Sequence, residues 1–161
     1  MDYDWITPRV AVGGALESRH DADELVAQGV SHVVNMCLGH ADDPCFAHLR
    51  EVRLASFGLA DGDNEGDLGY QRLCSAIAYV VAVLAGDPRA RIYLHCAAGI
   101  SRSASVMVGV LMETESLTLA RAVERVRQVR PVINPHPAHL VALLRRQADQ
   151  KETPASTNGP S

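Results

Sequence analysis

The chain has 161 residues, 47% of them hydrophobic and 21% charged, with a formal net charge of −4. That length and balance describe one globular domain, long enough to bury a sizeable core. They exclude the clustered basic face of a nucleic-acid binder, and no apolar run reaches the roughly 18 residues expected of a membrane span. The opening "MDYDWITPRV" has no basic segment followed by an apolar one, so a cytoplasmic location is expected. Lys151 is the only lysine; the other basic residues are arginines. Cys37, Cys45, Cys74 and Cys96 form no C-x-x-C pair, and without a secretory signal no disulfide is expected.

In chain order, residues 9–14 (RVAVGG) read as a short strand ending in a glycine turn. Residues 20–29 read as a helix stopped by Gly29, and 30–37 (VSHVVNMC) as a buried strand. Residues 38–48 read as a loop or irregular turn. The alternating stretch 51–59 predicts a further strand, and 60–67 (ADGDNEGD) a strongly polar turn. A helix over 68–86 follows, with Asp67 as its expected N-cap. Residues 91–95 (RIYLH) predict a strand, and 101–114 a helix that is apolar nearly all round, hence central. The helix over 118–130 puts Leu119, Val123, Val126 and Val129 on one face and ends at Pro131. A last helix covers 135–150. The expected domain is therefore 1–150, with 151–161 a polar, disordered tail.

Alternating strands and helices predict an α/β fold: a mostly parallel central sheet of about four to five strands flanked by helices. In such sheets ligands bind at the carboxyl ends of the strands. The stretch "HCAAGISRS" (95–103) lies there, between a strand and the buried helix. Amides of a tight turn entering a helix converge on one point, an anion-binding nest. Gly99 and the small Ala97, Ala98 and Ser101 let the backbone curl closely. Arg102 adds a planar, permanently charged fork suited to two phosphate oxygens. A thiol at Cys96 is pulled toward thiolate there, into a range of roughly 3.5–7.5. One loop thus carries an oxyanion receptor and a nucleophile, which suits phosphoryl transfer through a thiophosphate intermediate. A poor alkoxide or phenoxide leaving group also needs a general acid on a mobile loop; the polar turn offers Asp61, Asp63, Glu65 and Asp67.

"HCAAGISRSAS" resembles the HCxxGxxR[ST] signature of the cysteine-dependent protein tyrosine phosphatases, and "AGISRSA" with "VLM" closing the helix is most similar to the dual-specificity phosphatases. "ITPRVAVGGA", "GVSHVVNM" and "VRPVINP" extend the resemblance over about residues 5–145. The resemblance implies a two-step reaction without metal or cofactor. It implies Cys96 as nucleophile, with Arg102 and the amides of Ala97, Ala98, Gly99, Ile100, Ser101 and Arg102 holding the phosphate. It gives Ser103 the hydroxyl that assists the departing sulfur, and His95 the histidine that orders the loop and sets the thiol's acidity. Its acid falls just after the preceding strand, which selects Asp61, with Asp63 the runner-up. Arg130 and Asn134 match positions that anchor the loop.

The expected substrate is a phosphorylated protein at phosphotyrosine, phosphoserine or phosphothreonine, acted on by a monomer that is a stand-alone catalytic domain, with no nucleic-acid or membrane partner. Lysines that phosphoinositide-directed relatives carry in this loop are replaced by Ala97, Ala98 and Ile100. The alternatives are a phosphatase of a non-protein phosphoester, a phosphoprotein-binding module with little activity, and a sulfur or arsenate enzyme, which the Ser-Arg-Ser ending disfavours. Cys37, His40, Cys45 and His48 form two C-x2-H pairs, but Cys37 reads as a packed strand end, so no metal site is expected. His136 and His139 read as helix surface.

Overall fold

The computed structural model describes residues 1–62 and 66–152. The strands are β1 (Tyr3–Thr7), β2 (Val10–Gly13), β3 (His32–Asn35), β4 (Arg53–Ser56) and β5 (Ile92–His95). The helices are α1 (Arg19–Ala27), α2 (Asp43–Phe46), α3 (Gly66–Gly86), α4 (Arg102–Thr114), α5 (Leu119–Val129) and α6 (Pro137–Glu152). The sheet order is β1-β2-β5-β3-β4, and every neighbouring pair is parallel except β1 with β2. The expected α/β architecture is observed, with the phosphate loop between β5 and α4.

Side chains alternate across each strand, so every central strand feeds two cores. Val10, Val12, Val34, Ile92 and Leu94 face α3, α4, α5 and α6. Ala11, Val33 and Tyr93 face α1 and α2. Burial on both faces is why these strands read as continuous apolar runs. Pairing levels Gly13 with His95, His95 with Asn35, and Asn35 with Ser56. The segments that leave these four residues therefore emerge along one edge of the sheet, at the strand carboxyl ends.

Several expectations need correction. β1 was not anticipated: Tyr3–Thr7 is an edge strand that turns through Thr7, whose hydroxyl accepts from the amides of Arg9 and Val10. The stretch read as a loop contains the one-turn helix α2. Asp67 is not an N-cap; it lies inside the first turn of α3, and its carboxylate meets Arg145 at 2.8 Å. Val129 is exposed at the end of α5, whose buried residues are Ala122 and Val126. α3 is long and apolar enough to cross a membrane by length and composition alone, although Arg72 interrupts it. Here Leu73, Ala76, Ile77 and Val80 form a buried stripe in the same core as α4. The last helix runs to Glu152, and the expected tail from 153 on lies outside the described residues.

α4 is buried continuously from Ser103 to Leu111, as its all-round apolar pattern predicts. Gly109 is where this helix meets two others: a Cβ there would sit 2.3 Å from Ile77 Cδ1 and 2.9 Å from Leu143 Cδ2. Both neighbours are themselves buried. Gly109→Val gains a little helix propensity but overpacks this crossing. We expect a net loss of about 1–3 kcal/mol in urea unfolding; unchanged or raised stability would show that α3 and α6 pack loosely there.

Candidate active site

Loop 96–101 is shaped by its carbonyls. Cys96 O accepts from His95 Nδ1 at 3.3 Å, and Ala97 O from the Ala15 amide at 3.1 Å. Ala98 O and Gly99 O accept from Arg130 Nη2 and Nε at 3.1 and 2.8 Å. Ile100 O accepts from the Asn134 amide at 2.8 Å, and Ser101 O from the amide and hydroxyl of Ser105. Each carbonyl is drawn outward by a donor behind the loop. No backbone carbonyl among the described residues takes the amides of Ala97 to Arg102, which are left to converge on the cavity, a cradle for a tetrahedral oxyanion. The curl needs Gly99: its φ is +67°, and a Cβ would stand 2.5 Å from the Gly13 carbonyl carbon.

Arg130 secures this arrangement. Its side chain is 1% exposed, and beyond the two loop carbonyls it binds Asp2 at 3.0 Å and Asp4 at 2.8 Å. Asp2, just before β1, and Asp4, within it, therefore neutralise the guanidinium that holds the loop. The anchoring expected of Arg130 is present; its acidic partners were not read from the sequence.

Cys96 is buried under the cradle, and its Sγ lies 3.2 Å from Ser103 Oγ. Burial acts to raise the thiol's pKa. Hydrogen bonds from the Ser103 hydroxyl and the amides of Ser103 and Gly99, with the Arg102 charge, outweigh it, and the net shift is downward. Burial pushes the other three cysteines up. Of four thiols, only Cys96 is tuned for nucleophilic attack.

His95 is fully buried, stacked on Tyr93, and paired through Nε2 with Asp42 Oδ2 at 2.9 Å. Asp42 was not anticipated. It occupies the N-cap position of α2 but makes no cap hydrogen bond, because its carboxylate is turned to His95. The signal available was an acid beside a helix-starting Asp-Pro in a stretch read only as loop.

Arg102 Nη1 donates to Leu59 O at 3.2 Å, and its buried Nε has no partner among the described residues. That bond ties the segment after β4 to the cradle. Asp61, two residues on, lines the same cavity of about 650 Å³ as Cys96, Ala98, Arg102, Asn134 and His136. Asp63, the runner-up, and Glu65 lie outside the described residues. His139 is not helix surface as expected: it is buried, with Nε2 3.4 Å from Asp61 Oδ1. The two C-x2-H pairs do not converge. Cys37 belongs to the core on one face of the sheet and Cys45 to the other, while His48 pairs with Asp23 at 2.6 Å. Among the described residues no group of three or more His, Cys, Asp or Glu could hold a metal ion.

The fold and the strand-loop-helix site are those of the cysteine-dependent protein tyrosine phosphatase superfamily. The family described as dual specificity phosphatase, catalytic domain, matches residues 15–149, and the chain belongs to it. It is 34% identical over 131 residues to human dual specificity protein phosphatase 13B, covering 80% of this chain and 65% of that protein. It is 38% identical over 160 residues to human dual specificity protein phosphatase 4, covering 96% of this chain and 38% of that protein. The chain thus spans just under two thirds of the first and much less of the second. The crystal structure of human DUSP28 superposes with a TM-score of 0.72 at 23% identity, over 92% of this chain and 95% of that one.

Two outcomes follow from this geometry. Alkylation of Cys96 by iodoacetamide, followed against pH, should reach half its maximal rate well below the ~8.5 of a free thiol. Ser103→Ala should move that midpoint upward; a wild-type midpoint at or above the free value would contradict the hydrogen-bond account. Arg130→Met strands two loop carbonyls and two carboxylates. Because Asp2 and Asp4 remain within reach of water, the cost should fall near the low end for a broken buried pair, about 3 kcal/mol. Vanadate affinity should fall with it, and unaltered vanadate binding would mean that the loop holds its shape unaided.

Proposed function

We propose that this domain hydrolyses phosphorylated proteins at phosphotyrosine, phosphoserine or phosphothreonine through a cysteinyl-phosphate intermediate. The observation that carries the reading is the single acidified thiol beneath the outward-held loop, in one cavity with a guanidinium and a carboxylic acid. Membership of the dual specificity phosphatase family supports it.

In the first step Cys96 Sγ⁻ attacks phosphorus in line with the ester oxygen. A sulfur–phosphorus bond forms as the phosphorus–oxygen bond to the substrate breaks, and Asp61 gives its proton to the departing oxygen. The amides of Ala97, Ala98, Gly99, Ile100, Ser101 and Arg102, with the Arg102 fork, hold the three equatorial oxygens as charge spreads onto them. In the second step Asp61, now ionised, takes a proton from water. The water oxygen bonds phosphorus, and sulfur leaves as thiolate, stabilised by the Ser103 hydroxyl. Inorganic phosphate departs and the starting protonation states return. His95, held by Asp42, orders the loop at its base. We further propose that the domain acts as a cytoplasmic monomer, in keeping with four free cysteines.

Cys96→Ser should abolish turnover of an aryl phosphate while phosphate binding persists; activity above wild-type contamination would remove Cys96 from the nucleophile's place. Arg102→Lys keeps the charge and loses the fork, so kcat/KM should fall at least about 10²-fold, or about 2.7 kcal/mol. Asp61→Asn should slow a phosphopeptide far more than an activated aryl phosphate, because only the first has a leaving group that needs a proton. Equal losses on both would place the acid elsewhere.

A further inference from the structure

The side chain of His139 is 4% exposed and sits in the first turn of α6. Buried ring nitrogens are nearly always hydrogen-bonded. Among the described residues His139 Nε2 makes no hydrogen bond; the polar atom before it is Asp61 Oδ1, 3.4 Å away. Both residues are placed by ties to the phosphate loop. Asp61 follows Leu59, whose carbonyl accepts from Arg102. His139 follows His136, whose amide donates to Ser101 Oγ at 3.0 Å, and the two rings stand 5.7 Å apart. His136 Nδ1 accepts from the Ala138 amide at 3.1 Å, which also fixes the start of α6.

We propose that His139 is a positioning residue for Asp61: its Nε2–H closes onto Oδ1 and leaves Oδ2 to carry the transferred proton. The proposal rests on Asp61 being the general acid. Asp61 is 48% exposed on a turn, so without an anchor its carboxyl rotates in water and spends little time aimed at the leaving oxygen. A neutral imidazole N–H suits a carboxyl that must cycle. Oδ1 accepts the same hydrogen bond whether Oδ2 carries a proton or not. An arginine or lysine there would hold Asp61 ionised and spoil it as an acid. The neutral ring is favoured by its surroundings: burial lowers its pKa, Asp61 pulls the other way, and His136 and Arg102 oppose a second positive charge. Among the described residues, Asp67 and Arg145 beside this corner are paired with each other at 2.8 Å.

The test compares His139→Phe, which removes the donor, with His139→Gln, which supplies an N–H. Each is made alone and with Asp61→Asn. The readout is the ratio of kcat/KM for a phosphotyrosine peptide to that for p-nitrophenyl phosphate, from which any loss of folded protein cancels. His139→Phe should lower this ratio about tenfold, a part of the 10²–10⁴ that a general acid supplies. It should also steepen the dependence of kcat/KM on leaving-group pKa across a series of aryl phosphates. His139→Gln should recover most of the loss. In the Asp61→Asn background His139→Phe should change nothing further. The proposal is overturned if Asp61→Asn lowers the ratio and His139→Phe does not. It is equally overturned if the ratio falls as far with Asn at 61, or if Gln fails to restore it, either of which makes His139 packing. If Asp61→Asn itself leaves the ratio unchanged, the acid reading fails and this proposal with it. Should Phe prevent folding, His139→Leu removes the same donor in a smaller volume.

Discussion

Six consecutive carbonyls, from Cys96 to Ser101, are each taken by a donor outside the cavity. A peptide unit that turns its oxygen one way turns its amide the other, so this outward tether is what produces an inward cradle. Everything else at the site depends on it. The amides of Gly99 and Ser103 that acidify Cys96 are available because the loop is held open in this sense. The donors come from the Ala15 turn after β2, from the buried Arg130 after α5, from Asn134, from the first turn of α4 and from His95 on β5. The loop has no shape of its own apart from the domain that surrounds it.

Arg130 shows how such a tether is made tolerable. A buried guanidinium would be costly alone. Two loop carbonyls and the carboxylates of Asp2 and Asp4 satisfy it, so no unpaired charge remains behind a loop that must itself receive an anion. The edge strand β1 thereby joins the machinery of the site although it contributes no residue to the cavity. The same economy appears at the base, where Asp42 meets His95, and at the rim, where His139 meets Asp61. In each case a titratable side chain near the reaction centre has its geometry set by a partner on a distant segment.

The central strands β2, β3 and β5 and helix α4 were legible in the sequence because burial on both faces leaves a largely apolar run, β4 was legible by its alternation, and the glycine and arginine of 95–103 marked the loop by their conformational and charge requirements. Pairings at long separation were not legible. Nothing in "DYDWIT" shows that its strand adds antiparallel to β2, or that Asp2 and Asp4 reach Arg130 more than a hundred residues on. Asp67 carried the usual signal of an N-cap, but tertiary pairing with Arg145 took its carboxylate instead. A histidine in the first turn of a polar helix ordinarily reads as surface; the fold instead buries His139, with Asp61 of the segment after β4 at 3.4 Å and the His136 ring at 5.7 Å. Asp42 was hidden inside a polar stretch whose short helix has no periodicity to read.

The central claim is that Cys96 becomes phosphorylated during turnover. It is tested most directly by mixing the protein with a radiolabelled phosphopeptide, quenching in acid within the first turnover, and mapping the label after digestion. The account predicts label on the peptide that carries Cys96, forming before phosphate is released and decaying on chase with unlabelled substrate. It also predicts that Asp61→Asn, which slows hydrolysis of the intermediate, prolongs that label with an activated aryl phosphate. Phosphate release with no labelled Cys96 peptide at any time, or label residing on another side chain, would contradict it.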